Sequence, residues 1–296
     1  MPSEELKVVI EMLEARPVLA DASFEQLRAG MAEMAVLSSL PEGVTTEAVL
    51  AGGVKAEWVS AAGADEFRVL LYLHGGGYCI GSIDTHRAMV ASLSEASGMK
   101  ALALDYRLAP EYPHPAAVDD AVAAYRWLLA NSVAPERIAI AGDSAGGGLS
   151  AATLVALREA GDPLPAAAVL ISPWTDLAAT GGSITERADI DPMIDMAVLN
   201  RMADAYAGQT STKDPSVSPL YAGLAGLPPL LIQVGTAEVL YDDSVRLAEL
   251  ARAAGVEVSF EAWEDMIHVF QAFGALLPEA GEAIGKIGDF LRDKVR

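Results

Sequence analysis

The 296 residues suit one large α/β domain with an appended cap, or two ordinary domains, and an apolar content of 52% is ample for a sizeable core. Against 20 Lys and Arg stand 41 Asp and Glu, a formal net charge of −21. Such a surface favours solubility, argues against nucleic-acid binding and weakly disfavours strongly anionic substrates. No run reaches the roughly 18 apolar residues of a membrane span. Cys79 is the only cysteine, so no disulfide can form within the chain, and the four histidines are too scattered to suggest a metal site. The opening stretch, Met1 to Lys7, is charged and lacks the basic region and apolar core of a signal peptide, so a cytoplasmic protein is expected.

Residues 1 to about 40 read as helical, with Leu6, Val9, Ile10 and Leu13 on one face. From about residue 45 short apolar runs alternate with longer amphipathic stretches. The runs are Val69–Leu73, Ala101–Leu104, Ile138–Ala141, Ala167–Ile171 and Leu230–Val234. They are nearly continuous, as parallel strands buried on both faces should be. The clearest helices between them are Ala116 to Asn131 and Gly147 to Glu159. This alternation predicts an α/β fold, a mostly parallel sheet flanked by helices on both sides. A segment from about Gly181 to Ser216 fits the alternation poorly and, with residues 1–40, is expected to form a helical cap. The core is then about 45–180 and 217–296 of a single domain spanning 1–296. Val256 to Glu261 alternates, as a half-exposed edge strand would. Such an edge invites pairing with its own copy, so a homodimer through 256–261 is a further expectation.

The segment Gly142-Asp143-Ser144-Ala145-Gly146 lies between a strand and a helix. Glycines two residues either side of Ser144 permit a tight elbow that lifts the hydroxyl above the sheet and sets it at the positive end of the next helix. Ser144 is therefore the expected nucleophile. A serine needs a base, usually histidine. His74, His86 and His114 precede Ser144. Strand–elbow–helix hydrolases run in the order Ser, acid, His, and His268 is the one histidine after Ser144. His86 and His114 read as structural. The acid should follow the strand Leu230–Val234. Glu238 is nearest the strand end, and Asp242 is the alternative. Asp242 and Asp243 otherwise read as helix-start or salt-bridging residues.

His74-Gly75-Gly76-Gly77 follows the strand ending at Leu73. Bare glycines let backbone N–H groups converge on one point, as a developing oxyanion requires. The amides of Gly75, Gly76 and Ala145 are the expected donors. Arg107 is expected to pair with Glu111 or Asp143 as a structural brace. Cys79 suits a small buried residue better than a nucleophile. Trp174, Met193 and Phe270 suit pocket walls or core equally.

With these motifs the chain resembles the hormone-sensitive lipase family of esterases, in its bacterial Gly-Asp-Ser-Ala-Gly branch. The matching residues are His74-Gly75-Gly76-Gly77-Tyr78, Asp105 to Glu111, Pro113 to Ala117, Gly142 to Gly147, Ser172 to Leu177, Glu238-x-Leu240-x-Asp242 and His268. The resemblance implies an α/β-hydrolase fold, a helical cap and hydrolysis of short to medium acyl esters through an acyl-enzyme, without metal or organic cofactor. The family commonly carries aspartate where Glu238 stands. A small-molecule ester is the implied partner. An amidase or peptidase of the same fold is the alternative. A receptor-like ligand binder is less in keeping with the chain, since related plant hormone receptors lose the histidine that is present here as His268.

Overall fold

The computed structural model describes residues 3–15, 21–35 and 40–296. Parts of the expected N-terminal helical region, 1–2, 16–20 and 36–39, lie outside the described residues.

Eight strands form one sheet in the order β1-β2-β4-β3-β5-β6-β7-β8. They are β1 (Thr45–Ala51), β2 (Val54–Ser60), β3 (Asp65–Leu73), β4 (Met99–Leu104), β5 (Ile138–Asp143), β6 (Ala167–Ile171), β7 (Leu230–Gly235) and β8 (Val258–Trp263). From β4 to β8 all neighbours are parallel. Each expected apolar run lies in one of these strands. The edge strand lies two residues later than the alternation suggested, and it remains half-exposed.

The β1–β2 hairpin is an addition to the sequence reading. Gly52 and Gly53 both have positive φ, +62° and +91°, as a two-residue turn with the strands' own twist requires. Ala51 then faces Val54, and β2 runs antiparallel to β4. Most of β1 is exposed, and its apolar residues, Ala48 to Ala51, are few and followed at once by the glycine pair.

The sheet divides the core in two. Successive residues of β3 go to opposite faces: Leu71 and Leu73 join one cluster, Leu70 and Tyr72 the other. The first face is covered by α4 (Ala116–Ala130), α5 (Ala145–Ala160) and α8 (Tyr241–Ala253). The second is covered by α3 (Ile83–Ser97) and α9 (Pro278–Lys294). Between β6 and β7 lie α6 (Ser183–Glu186) and α7 (Met196–Ala207).

The two N-terminal helices go to different places. In α2 (Phe24–Ala35), Leu27 shares a cluster with Met202 and Ala203 of α7, and the Arg201 guanidinium donates to the Ala22 carbonyl at 2.8 Å. In α1 (Glu4–Glu14), Leu6, Val9 and Leu13 pack instead on Met266, Ile267, Phe270 and the start of α9. Thus α2 meets the 181–216 segment, while α1 backs the loop after β8.

Helices α3 and α9 touch through glycine. A Cβ on Gly288 would run into the Ala96 carbonyl, whereas a Cβ on Gly285 of the same helix would meet nothing within 4 Å. Gly288→Ala should therefore destabilise by roughly 1–3 kcal/mol through overpacking. Gly285→Ala should stabilise by roughly 0.5–1 kcal/mol, because alanine loses less backbone freedom in a helix. Urea unfolding of the two variants beside the parent protein checks the opposite signs.

Candidate active site

The elbow follows β5. Ser144 has φ 52° and ψ −120°, a conformation costing about 1–3 kcal/mol for a residue with a Cβ. Its amide donates to the Ile171 carbonyl at 2.8 Å, and its carbonyl accepts from Trp174 N at 2.9 Å. A Cβ on Gly146 would strike the Leu73 and His74 carbonyls, and one on Gly142 would strike Gly146. Both glycines are thus set by close backbone approach. The Ser144 side chain caps nothing in α5, and the residue is partly exposed at the helix start.

His268 and Glu238 meet. The Nδ1–H of His268 donates to Glu238 Oε2 at 2.6 Å, with the two side chains 7% and 0% exposed. The other Glu238 oxygen accepts from Gly235 N and from the Ser172 hydroxyl, each at 2.7 Å. Ser172 Oγ in turn accepts from Val269 N at 3.2 Å. One hydroxyl thereby joins the turn after β7 to the loop after β8. Burial alone would lower the His268 pKa, but the charges of Glu238, Asp191 and Asp143 together hold it above the ordinary 6.5.

The other carboxylates take different work. Asp242 is paired with Ser183: its Oδ2 accepts from Ser183 N at 2.9 Å, and its own amide donates to the Ser183 hydroxyl. Asp243 Oδ2 accepts from the amides of Thr175 and Asp176, and burial pushes its pKa up to about 7. So Asp243 stands in the first turn of α8, as expected, and there it is a buried acceptor for loop amides rather than a salt-bridging residue. The acid in contact with His268 is Glu238.

The glycine loop requires a correction. The Gly75 amide donates to Asp143 Oδ1 at 3.0 Å, so it is committed within the protein. The following residues Gly76, Gly77 and Tyr78 all have positive φ, 108°, 58° and 60°. The Gly76 carbonyl accepts from Cys79 N and Ile80 N, which closes the turn. Among the described residues the amides of Gly76, Gly77 and Ala145 donate to no protein acceptor. Sequence order could not tell Gly75 from Gly77, because all three glycines look alike and only backbone direction separates them.

Behind this loop lies a buried network that the sequence reading missed. Asp143 also accepts from the Tyr72 hydroxyl at 2.6 Å and faces His86 Nε2 at 3.4 Å. Burial opposes ionisation of both Asp143 and His86, yet their mutual attraction wins: Asp143 is held below and His86 above its ordinary pKa. His74 stacks on Tyr106, and burial drives its pKa down to about 3. Asp143 was visible in the elbow motif, but nothing in its spacing announced a partner 57 residues upstream at His86.

Arg107 pairs with Asp120 at 2.7 Å, not with Glu111 or Asp143, because the start of α4 returns beside it. Glu111 pairs instead with Arg28 of α2, at 2.7 Å, and Arg28 also donates to the Cys79 and Ala109 carbonyls. Cys79 is fully buried and its thiol is pushed up to about 12, so it stays protonated. His114 contacts Ser216 at 3.0 Å, away from these groups. Trp174 and Phe270 are core residues, 1% and 0% exposed, whereas Met193 is 38% exposed. A groove of about 540 Å³ lined by Lys55, Glu57, Asp84, Arg87 and Asp105 includes none of Ser144, Glu238 or His268.

The Glu238 charge is the largest attraction raising the His268 pKa, so Glu238→Gln should lower the midpoint of the His268 ring titration by about one pH unit or more. Histidine NMR across pH 4–9 measures it, and an unmoved midpoint would contradict the electrostatic account.

An alpha/beta hydrolase family profile matches residues 70–272. A relative named acetyl-hydrolase, from Streptomyces hygroscopicus, is 52% identical over 246 residues, which is 83% of this chain and 82% of that protein. A crystal structure of an esterase from the bacterial hormone-sensitive lipase family has a TM-score of 0.97 at 49% identity, with 100% of both chains covered. A crystal of the protein EstE5 soaked with p-nitrophenyl butyrate has a TM-score of 0.96 at 47% identity, with 99% of both chains covered. With its elbow at Ser144, its buried Glu238–His268 pair and these matches, the chain belongs to the alpha/beta hydrolase family, in the bacterial hormone-sensitive lipase branch.

Proposed function

We propose that this chain is a serine carboxylesterase acting on short to medium acyl esters, with Ser144, His268 and Glu238 as its catalytic triad. The observation that carries the reading is the 2.6 Å contact between buried Glu238 and His268 Nδ1. That bond fixes the tautomer whose Nε2 is free to accept a proton. Ser144 Oγ attacks the ester carbonyl and its proton passes to His268 Nε2. The carbonyl oxygen becomes an oxyanion held by the amides of Gly76, Gly77 and Ala145, each worth on the order of 10²–10³ in rate. His268 then protonates the leaving alkoxide, and the acyl group stays on Ser144. Water attacks this ester in the second half, its proton again going to His268, and the acid departs as Ser144 is restored.

The acetyl-hydrolase relative and the p-nitrophenyl butyrate soak of EstE5 support small acyl groups as the substrate class. The helices of 181–216, together with α2, are proposed as a cap, because Met202 of α7 lies against Gly77 of the glycine loop. A cytoplasmic location belongs to the same proposal; no helix among the described residues is long and apolar enough to cross a membrane.

Ser144→Ala should lower kcat on p-nitrophenyl butyrate by roughly 10⁴-fold or more. In a series of p-nitrophenyl esters from acetate to palmitate, kcat/KM should peak at short chains. Full activity in S144A would remove the mechanism, and a rise toward palmitate would make the protein a lipase.

Strand β8 is a sheet edge with Ser259 and Ala262 exposed, so a homodimer through this edge is also proposed. Light scattering at micromolar concentration should give twice the 30.9 kDa chain mass. A sharp monomer mass would reject it.

A further inference from the structure

The segment 183–194 is tied to the turn that bears Glu238 by a set of bonds the mechanism above does not use. Asp191 is 9% exposed. Its Oδ2 accepts from Val239 N at 2.9 Å, and Val239 is the residue after Glu238. Its Oδ1 accepts from Met193 N at 2.9 Å and Ile194 N at 3.1 Å. The Val239 carbonyl is held from the same segment, by the Ser183 hydroxyl at 2.6 Å. Both polar groups of one peptide-bond neighbour of Glu238 are therefore bound from outside the sheet.

Asp191 also brings a second carboxylate toward His268. The negative charges that raise the pKa of the imidazole come from three elements: Glu238 after β7, Asp191 before α7 and Asp143 at the end of β5. Asp143 is already paired with His86 at 3.4 Å and bonded by Tyr72, which spends its field locally. Asp191 has no cationic side-chain partner among its bonds; it is satisfied by three backbone amides, which favour its carboxylate form. Burial pushes its pKa up, and the His268 charge pulls it back down, the reciprocal of its own pull on His268.

Resting on the triad reading, we propose that Asp191 is a positioning residue: it sets the Glu238 turn through Val239 and adds a second negative charge that stabilises the His268 imidazolium, coupling the 181–216 segment to proton transfer. Seating this segment on the site then does more than cover substrate. It completes the field of the base.

The test uses the full-length enzyme and p-nitrophenyl butyrate. The acid limb of kcat/KM against pH reports the base in the free enzyme. In Asp191→Asn the limb should move to lower pH by about half a unit, and kcat should fall about 3- to 30-fold with little change in KM. Asp191→Glu, which keeps the charge, should retain the parent limb. Ser183→Ala loosens the same turn without removing charge, so it should lower kcat or Tm with the limb unmoved. If D191N does not accumulate, Asp191→Ser replaces it, since a serine hydroxyl can still accept from the Met193 amide. A neutral variant whose limb stays at the parent pH, while E238Q moves it, overturns the role of Asp191 and leaves the triad standing. An E238Q enzyme whose limb does not move, or an active S144A, overturns the triad reading itself.

Discussion

The structure turns on one buried charge. Glu238 has no solvent exposure, and a carboxylate in that position is costly unless every lone pair finds a donor. Three donors reach it: Gly235 N, the Ser172 hydroxyl and His268 Nδ1. Each comes from a different part of the chain. Removing any one leaves a charge with nowhere to turn, so the turn after β7, the end of β6 and the loop after β8 are held as one body. The acid of the proposed triad is therefore also the clasp of the site.

The sheet makes this possible. Strands β5, β6, β7 and β8 are consecutive parallel neighbours, and all end at the same edge. Ser144 follows β5, Ser172 follows β6, Glu238 lies three residues past β7, and His268 lies five past β8. Residues spread over 125 positions are thereby gathered at one edge of the sheet. Backbone strain gathers at the same edge. Ser144, Ser172 and Val269 all have positive φ, at 52°, 43° and 49°, and valine tolerates that region poorly. Their amides each donate to a defined acceptor: Ser144 N to the Ile171 carbonyl, Ser172 N to the Gln233 carbonyl, Val269 N to Ser172 Oγ. The surrounding pairing over-determines these conformations, and the cost of each is offset by the sheet that surrounds it.

The parallel half of this fold could be read from sequence because burial on both faces forces continuous apolar runs. The β1–β2 hairpin could not be read that way, since β1 is mostly exposed; its signal was Gly52-Gly53, a turn pair flanked by Val49 and Val54. The roles proposed for Ser144 and His268 rest on motif and chain order, and the structure sets Ser144 on the elbow after β5 and His268 in the loop after β8. The choice of Glu238 over Asp242 was legible through distance from the strand end, and its contact with His268 agrees. What sequence could not carry was direction and long-range pairing. Gly75 and Gly77 are the same residue in the same loop, and only the amide bond to Asp143 separates them. Arg107 had several carboxylates near it in sequence, yet the return of α4 gave it Asp120. Asp191 sits in a segment read only as cap, and its link to Val239 spans 48 positions.

In the proposed mechanism the two sides of Ser144 need opposite fields, and buried carboxylates stand on both sides. On the His268 side negative charge is useful, because the imidazole gains a positive charge as Ser144 loses its proton. There Glu238 stands in direct contact, with Asp191 behind its turn. On the glycine-loop side negative charge is harmful, because the substrate oxygen itself becomes negative. Asp143 lies on that side, joined to both the elbow and Gly75. Tyr72 donates to it at 2.6 Å and His86 Nε2 lies 3.4 Å away, a pairing that holds the His86 pKa above its ordinary value. Asp143 thus braces the loop through the Gly75 amide, with its other contacts turned toward Tyr72 and His86. The neighbouring His74, with its pKa near 3, stays neutral and adds packing to the loop without adding charge. In a chain of net charge −21, the proposed site depends on what each buried carboxylate is bonded to: His268 for Glu238, backbone amides for Asp191, and Tyr72, Gly75 and His86 for Asp143.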